Sequence, residues 1–233
     1  MARKIKYTRK DLKSPDEFIS TLGRATLWIK ENRVTVVAAV AVAFLALGGI
    51  FGTRAYFHWQ ETKASRDLWP LLNQAREILQ NPAGTDSEKL AQLEQSLAAQ
   101  VKKHPGTRAE VFARYYLGSI AFRRKDYDRS AAEFRSAIAN GKEQRTVMDF
   151  LLREGLAQAL EAKGDVESAE KAYEEAASFA NGELRTQAWM GQARLLAHQG
   201  RKDEAATVFR KILAENPNTP FKDLIEIKLS HLG

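Results

Sequence analysis

The chain has no cysteine among its 233 residues, which excludes disulfides, thiolate metal sites and thiol catalysis and leaves the redox compartment open. Proline and glycine are also scarce, six and fourteen, and fall mostly where a helix would end. With the breakers few and Ala, Leu, Glu, Lys, Arg and Gln abundant, the composition predicts an all-α chain. Also missing are GxGxxG, a phosphate loop, GxSxG, HExxH and any kinase-type set. The four histidines, His58, His104, His198 and His231, stand far apart with no carboxylate at ligand spacing and read as surface residues. Glu174 and Glu175 lie one helical turn from Lys171, as on a solvated helix face. No catalytic site, metal site or cofactor is expected.

The net charge of +7 is unevenly placed. Residues 1–33 carry nine Lys/Arg against four Asp/Glu, whereas residues 54–233 carry 27 against 25. A nearly balanced domain has no broad footprint for phosphate, so no nucleic-acid partner is expected.

Between Arg33 and Arg54 run twenty residues without a charge, VTVVAAVAVAFLALGGIFGT. A helix of that length is about 30 Å long, the thickness of a bilayer core. Trp28 on one flank and Tyr56, Phe57 and Trp59 on the other match aromatic residues at the two interfaces, so residues 34–57 are expected to cross a membrane. A cleaved signal peptide would have a short leader and an apolar stretch of about 7–15 residues. Here 33 residues precede the stretch and GGIFGTRAYF is a poor cleavage region, which favours an uncleaved anchor. Arg3, Lys4, Lys6, Arg9, Lys10, Lys13, Arg24, Lys30 and Arg33 precede the span, and Arg54, Lys63 and Arg66 follow it. That excess predicts a single-pass inner-membrane protein with a cytoplasmic N-terminus and a periplasmic domain. Gly48 and Gly52 are spaced for close helix approach, although glycine is common in spans anyway.

Ahead of the span, Ser14-Pro15-Asp16-Glu17 has the pattern of a capping box. Phe18, Ile19, Leu22, Ala25, Trp28 and Ile29 then form an apolar stripe. Residues 15–31 are therefore either an amphipathic helix on the cytoplasmic interface or an extension of the spanning helix. Residues 1–33 form a basic tail whose first thirteen residues suit anionic lipid headgroups or an acidic partner.

Residues 64–233 repeat themselves. The segments 115–138, 155–178 and 191–217 each read as an apolar helix, a turn and a second helix. Aligned, they bring together Lys125, Gly164 and Gly200 in the turn; Ser130, Ala169 and Ala205; Phe134, Tyr173 and Phe209; and Ala137, Ala176 and Ile212. Leu117-Gly118, Trp189 and Pro217 complete a pattern that resembles the tetratricopeptide repeat family. The offsets of 39 and 36 exceed that family's usual period of about 34 residues. The first segment lacks the turn glycine, and the second has Leu156-Ala157 for Leu-Gly. Loops such as Asn140-Gly141-Lys142 and Asn181-Gly182-Glu183 absorb the extra length. Residues 64–80 and 86–103 read as a degenerate first hairpin, split by Asn81-Pro82-Ala83-Gly84 and closed by His104-Pro105-Gly106. Residues 221–232 read as a closing helix with Leu224, Ile227 and Leu229 inward and Lys222, Asp223, Glu226 and Lys228 in water.

The resemblance implies an all-α, tetratricopeptide-like hairpin solenoid whose first helices form a partner-binding groove. Carried over by position, its lining is Phe112, Tyr115, Ser119, Phe122 and Arg123, then Glu154, Gln158 and Glu161, then Met190, Arg194 and His198. Phe122 has the alternative of lying buried between helices. Such a lining suits a protein or peptide segment held by a few apolar anchors. In layout the chain resembles the YfgM-like family, ancillary to the SecYEG translocon. That resemblance implies an adaptor meeting SecYEG, periplasmic chaperones or emerging chains. The alternatives are a scaffold of another envelope assembly, for division, pilus or cytochrome biogenesis, and, more remotely, a polysaccharide enzyme.

Overall fold

The computed structural model describes residues 17–80, 87–141 and 146–232. Ten helices and no strand lie among them: α1 (Glu17–Glu31), α2 (Arg33–Gln80), α3 (Ser87–Lys103), α4 (Arg108–Arg123), α5 (Tyr127–Asn140), α6 (Val147–Lys163), α7 (Val166–Phe179), α8 (Gly182–His198), α9 (Lys202–Glu215) and α10 (Lys222–Leu232). The basic residues 1–13, the capping box that starts at Ser14, the Asn81-Pro82-Ala83-Gly84 turn and Lys142 lie outside the described residues, as do the side chains of Phe18, Ile19 and Leu22. The chain divides into two compact units, 1–58 and 59–233.

In the first unit, Ala25, Trp28 and Ile29 are exposed. The apolar run that follows is bare on every side: Val34, Val37, Phe44, Leu45 and Phe51 are each at least two-thirds exposed. Nothing comes within 4 Å of a Cβ built on Gly48 or Gly52. Arg33–Leu79 is the one described helix long and apolar enough to cross a membrane, and none of its most apolar stretch is buried.

The stretches expected at 34–57 and 64–80 are parts of one 48-residue helix. The reason is local, because no glycine or proline lies between Gly52 and Pro70. Pro70, inside the helix, has no N–H to donate to the Arg66 carbonyl.

In the second unit, Ala64, Leu68 and Ala75 of α2 pack with Leu90, Leu93 and Leu97 of α3 and Ala113, Leu117 and Ile120 of α4. Polar ties reinforce this end. Asp67 accepts a hydrogen bond from Lys103 Nζ at 2.7 Å and pairs with His104 Nε2 at 3.1 Å. Glu61 accepts the Arg108 backbone N–H, a first-turn donor that has no carbonyl four residues back within α4. His104 is thus not a surface residue; it is 4% exposed, because the turn that carries it folds against α2.

The three hairpins, α4–α5, α6–α7 and α8–α9, turn alike. Lys125, Gly164 and Gly200 have φ of +61°, +89° and +76°. In each turn the next residue donates its N–H five residues back: Asp126 to Ala121, Asp165 to Leu160 and Arg201 to Leu196. Asp126 and Asp165 then cap the following helices through the N–H groups of Arg129 and Ser168. The aligned small residues Ser130, Ala169 and Ala205 are fully buried, and Ser130 Oγ donates to the Gly118 carbonyl at 2.9 Å.

The aligned aromatics hold one hairpin to the next. Phe134 fills the space left by both Gly118 and Gly155; a Cβ on Gly155 would come within 2.7 Å of its ring. Tyr173 does the same at Gly191, where the distance would be 2.4 Å. From α3 to α10 each helix packs chiefly on its sequence neighbours, with contacts of α4 to α6 and α6 to α8 along the inner layer.

The closing helix is rotated from expectation. Ile225 is fully buried and Leu229 packs beside it, whereas Leu224 and Ile227 are 43% and 54% exposed. Residues 225, 229 and 232 follow the helical period and form the inward stripe, so the adjacent Leu224 faces elsewhere.

Candidate functional site

The inner layer consists of α4, α6 and α8, the first helices of the hairpins. Two side-chain pairs at an offset of 33 residues link α6 to α8: Gln187 Nε2 donates to Glu154 Oε1 at 2.7 Å, and Arg194 Nη2 donates to Glu161 Oε2 at 2.7 Å. Tyr173 reaches the same carboxylate from α7, donating its hydroxyl at 2.7 Å. Burial first, and then this hydrogen bond, push the Tyr173 phenol well above its ordinary pKa. It remains a donor throughout the neutral range.

Two hollows open on this layer. Tyr115, Ser119 and Phe122 of α4 face Leu151, Glu154, Gly155 and Gln158 of α6 across a hollow of about 230 Å³ floored by Phe134. Glu154 and Gln158 also line the second hollow, of about 560 Å³, with Met190, Arg194 and His198 of α8. Its remaining walls include Tyr173, Phe209 and, from α10, Leu224, Lys228, His231 and Leu232. Glu154 is 7% exposed; burial pushes its carboxyl up, and the Gln187 hydrogen bond offsets only part of that. Burial likewise raises the Tyr115 phenol. Ser119 Oγ is occupied within its own helix, donating to the Tyr115 carbonyl.

Three expected lining residues stand outside the walls of both hollows. Arg123 Nη1 donates to the Ile78 carbonyl at 2.8 Å and ties α4 to the end of α2. Glu161 sits beneath Arg194 and Tyr173 as the acceptor of both. Phe112, in the first turns of α4, lines neither hollow. Phe122 is half-buried, edge-on to Tyr127 with ring centres 5.5 Å apart, so it is both packing and lining.

Residues 27–233 match the family profile of the tetratricopeptide repeat-like domain. The chain belongs to that family. Two crystal structures of nearly identical TPR-like repeats of a kinesin light chain candidate from Podosopora anserina are similar to it, one of them a point variant. They align with TM-scores of 0.60 and 0.59 at 15% identity, covering 72% of this chain and 86% and 85% of theirs. At that identity the likeness is one of fold. Among curated proteins none matches the chain.

In this tetratricopeptide repeat-like domain the hairpin pattern is legible in the sequence, whereas part of the inner face is not. Gly155 and Gly191 carry the contacts between hairpins, yet the turn-based alignment points to Ala157 instead, two residues away. The spacing of 36 between Gly155 and Gly191 is the signal that could have found them. Lys228, exposed to water as expected, and His231 line the larger hollow together with Leu224. Residues 224, 228 and 231 lie one helical turn apart, a stripe visible once Ile225 is known to point inward. Among the described residues no group of three His, Asp or Glu side chains is placed to hold a metal ion.

Proposed function

We propose that this tetratricopeptide-repeat chain is a membrane-anchored adaptor whose inner helical face binds segments of partner proteins. The observation that carries the binding role is the pair of hollows on α4, α6 and α8, which meet at Glu154 and Gln158 and mix apolar walls with a few fixed polar groups. In this fold such a face is typically a surface for protein interaction.

The anchoring role rests on residues 34–57. Twenty uncharged residues with no protein cover would be costly in water and suit a bilayer core. The excess of Lys and Arg before them favours residues 1–33 in the cytoplasm, against anionic lipid, and the repeat domain of residues 64–233 in the periplasm. The layout supports the inner membrane as the site, and the resemblance to the YfgM-like family supports a place beside SecYEG, with periplasmic chaperones or emerging chains as ligands.

The test is a photo-crosslinking residue at Gln158 or Met190 of the full chain in its native membrane, with mass spectrometry of the adducts. Translocon subunits, chaperones or exported chains are the expected adducts. Recovery of one other envelope complex without them would replace this reading by the scaffold, and absence of any adduct at both positions would remove the binding face.

A further inference from the structure

We propose that the larger hollow takes an internal acidic segment of a partner chain. One large apolar side chain of the segment enters against Met190, Phe209 and Leu224, and a neighbouring Asp or Glu reaches Lys228 and His231. This rests on the binding face proposed above and specifies its ligand.

Size and lining set the first condition. A hollow of about 560 Å³ accommodates a few residues, not a folded domain. Its apolar floor continues onto the exposed Leu224 of α10.

Charge sets the second. The titratable groups facing the hollow are Glu154 from α6, Tyr173 from α7, Arg194 and His198 from α8, and Lys228 and His231 from α10, while α9 contributes only Phe209. Arg194 is already matched by Glu161. The single carboxylate in the lining, Glu154, is buried, held by Gln187, and in surroundings that resist negative charge. Lys228, His198 and His231 make no side-chain hydrogen bond or ion pair among the described residues. An unmatched ammonium beside an apolar hollow favours a carboxylate from outside.

Direction sets the third. Asn216 and Thr219 of the α9–α10 turn donate to Glu183 in the first turn of α8, so α10 starts beside the start of α8 and runs the same way. His198 and His231, each in the last turn of its helix, therefore border one end. On the α6 side the hollow shares Glu154 and Gln158 with the smaller hollow. A trough that continues past the anchor suits a segment from within a chain, with both ends leading away.

The experiment uses the full chain in nanodiscs and fluorescent peptides roughly 12 residues long, blocked at both ends. One carries Phe-Asp-Leu-Glu between Gly-Ser flanks, and the other has Lys in place of Asp and Glu. Fluorescence anisotropy on the parent protein and on Lys228→Glu is compared, with circular dichroism as the check on folding. The expected result is tighter binding of the acidic peptide by at least about fivefold, reversed in Lys228→Glu. Equal binding of both peptides, or acidic binding indifferent to Lys228→Glu, overturns the acidic preference but leaves the binding face. Absence of binding by either peptide overturns the inference as well. The Gln158 crosslinks then decide whether the binding face falls with it.

Discussion

Tyr173 fills the space above Gly191 with its ring and donates its hydroxyl to Glu161 at 2.7 Å. The residue that joins the second hairpin to the third thus also fixes a carboxylate on the inner face. Tyr173→Phe keeps the ring and removes two partly buried hydrogen bonds, the one donated to Glu161 and the one accepted from Arg194 Nη2 at 3.1 Å, a loss of about 1–2 kcal/mol, or roughly 2–8 °C in Tm for a domain of this size. Tyr173→Leu also removes ring volume and is expected to cost about 2–4 kcal/mol. Thermal melts of the two variants check the order; equal melting would mean that the ring does not fill the inter-hairpin gap.

Gly155 and Gly191 are expected to resist even one added methyl group. Alanine at either position pushes into Phe134 or Tyr173 and is expected to destabilise by about 1–3 kcal/mol, against the usual benefit of alanine in a helix. Alanine at Gly118, where the Cβ would sit 3.0 Å from the Phe134 ring, should cost less. Denaturant unfolding of the three variants gives the ranking.

Lys125 occupies the left-handed turn position that glycine holds in the other two hairpins. Lys125→Gly relieves a side-chain strain of about 1–2 kcal/mol while adding unfolded-state freedom worth about 0.5–1 kcal/mol, so a small net gain is expected. Gly164→Ala runs the other way and lowers stability by about 1 kcal/mol. A Tm that falls in Lys125→Gly would contradict the equivalence of the turns.

Two buried carboxylates give opposite pH signatures. At Glu110, burial alone would raise the pKa, but the hydrogen bonds from Arg114, the Gly106 N–H and Asn140 outweigh it and hold the carboxyl below its ordinary value. A depressed folded value stabilises at neutral pH and is lost as pH falls through that folded value, so Glu110→Gln should lower Tm at pH 7 and narrow its deficit in acid. Burial raises Glu154, with the Gln187 bond opposing. Its contribution is present below the unfolded carboxylate range and lost as pH rises through the folded value. Glu154→Gln, which can still accept from Gln187, should therefore raise Tm at pH 7 and lose that advantage in acid. Melts across the acid-to-neutral range test both signs.

The helical class, the bare apolar stretch and the hairpin register were legible because each depends on local chemistry. Scarce breakers leave helices uninterrupted, and a turn position that needs positive φ marks itself by glycine at Gly164 and Gly200, which identifies Lys125 by alignment. The buried aromatics Phe134, Tyr173 and Phe209 recur at those same offsets, since every hairpin must fill the same gap to its neighbour.

What the one-dimensional pattern left open was which way a side chain faces when several apolar stripes compete on one short helix. In α10, Leu224, Ile225, Ile227 and Leu229 permit more than one inward face. Only the arrangement of α8 and α9 selects Ile225 and turns Leu224 and Lys228 to the hollow. His104 and Arg123 show the same limit, for their partners Asp67 and Ile78 lie 37 and 45 residues away in sequence. Local composition determined the helices and their repeat. The packing of helices distant in sequence decided which polar groups became structural ties and which were left facing the site.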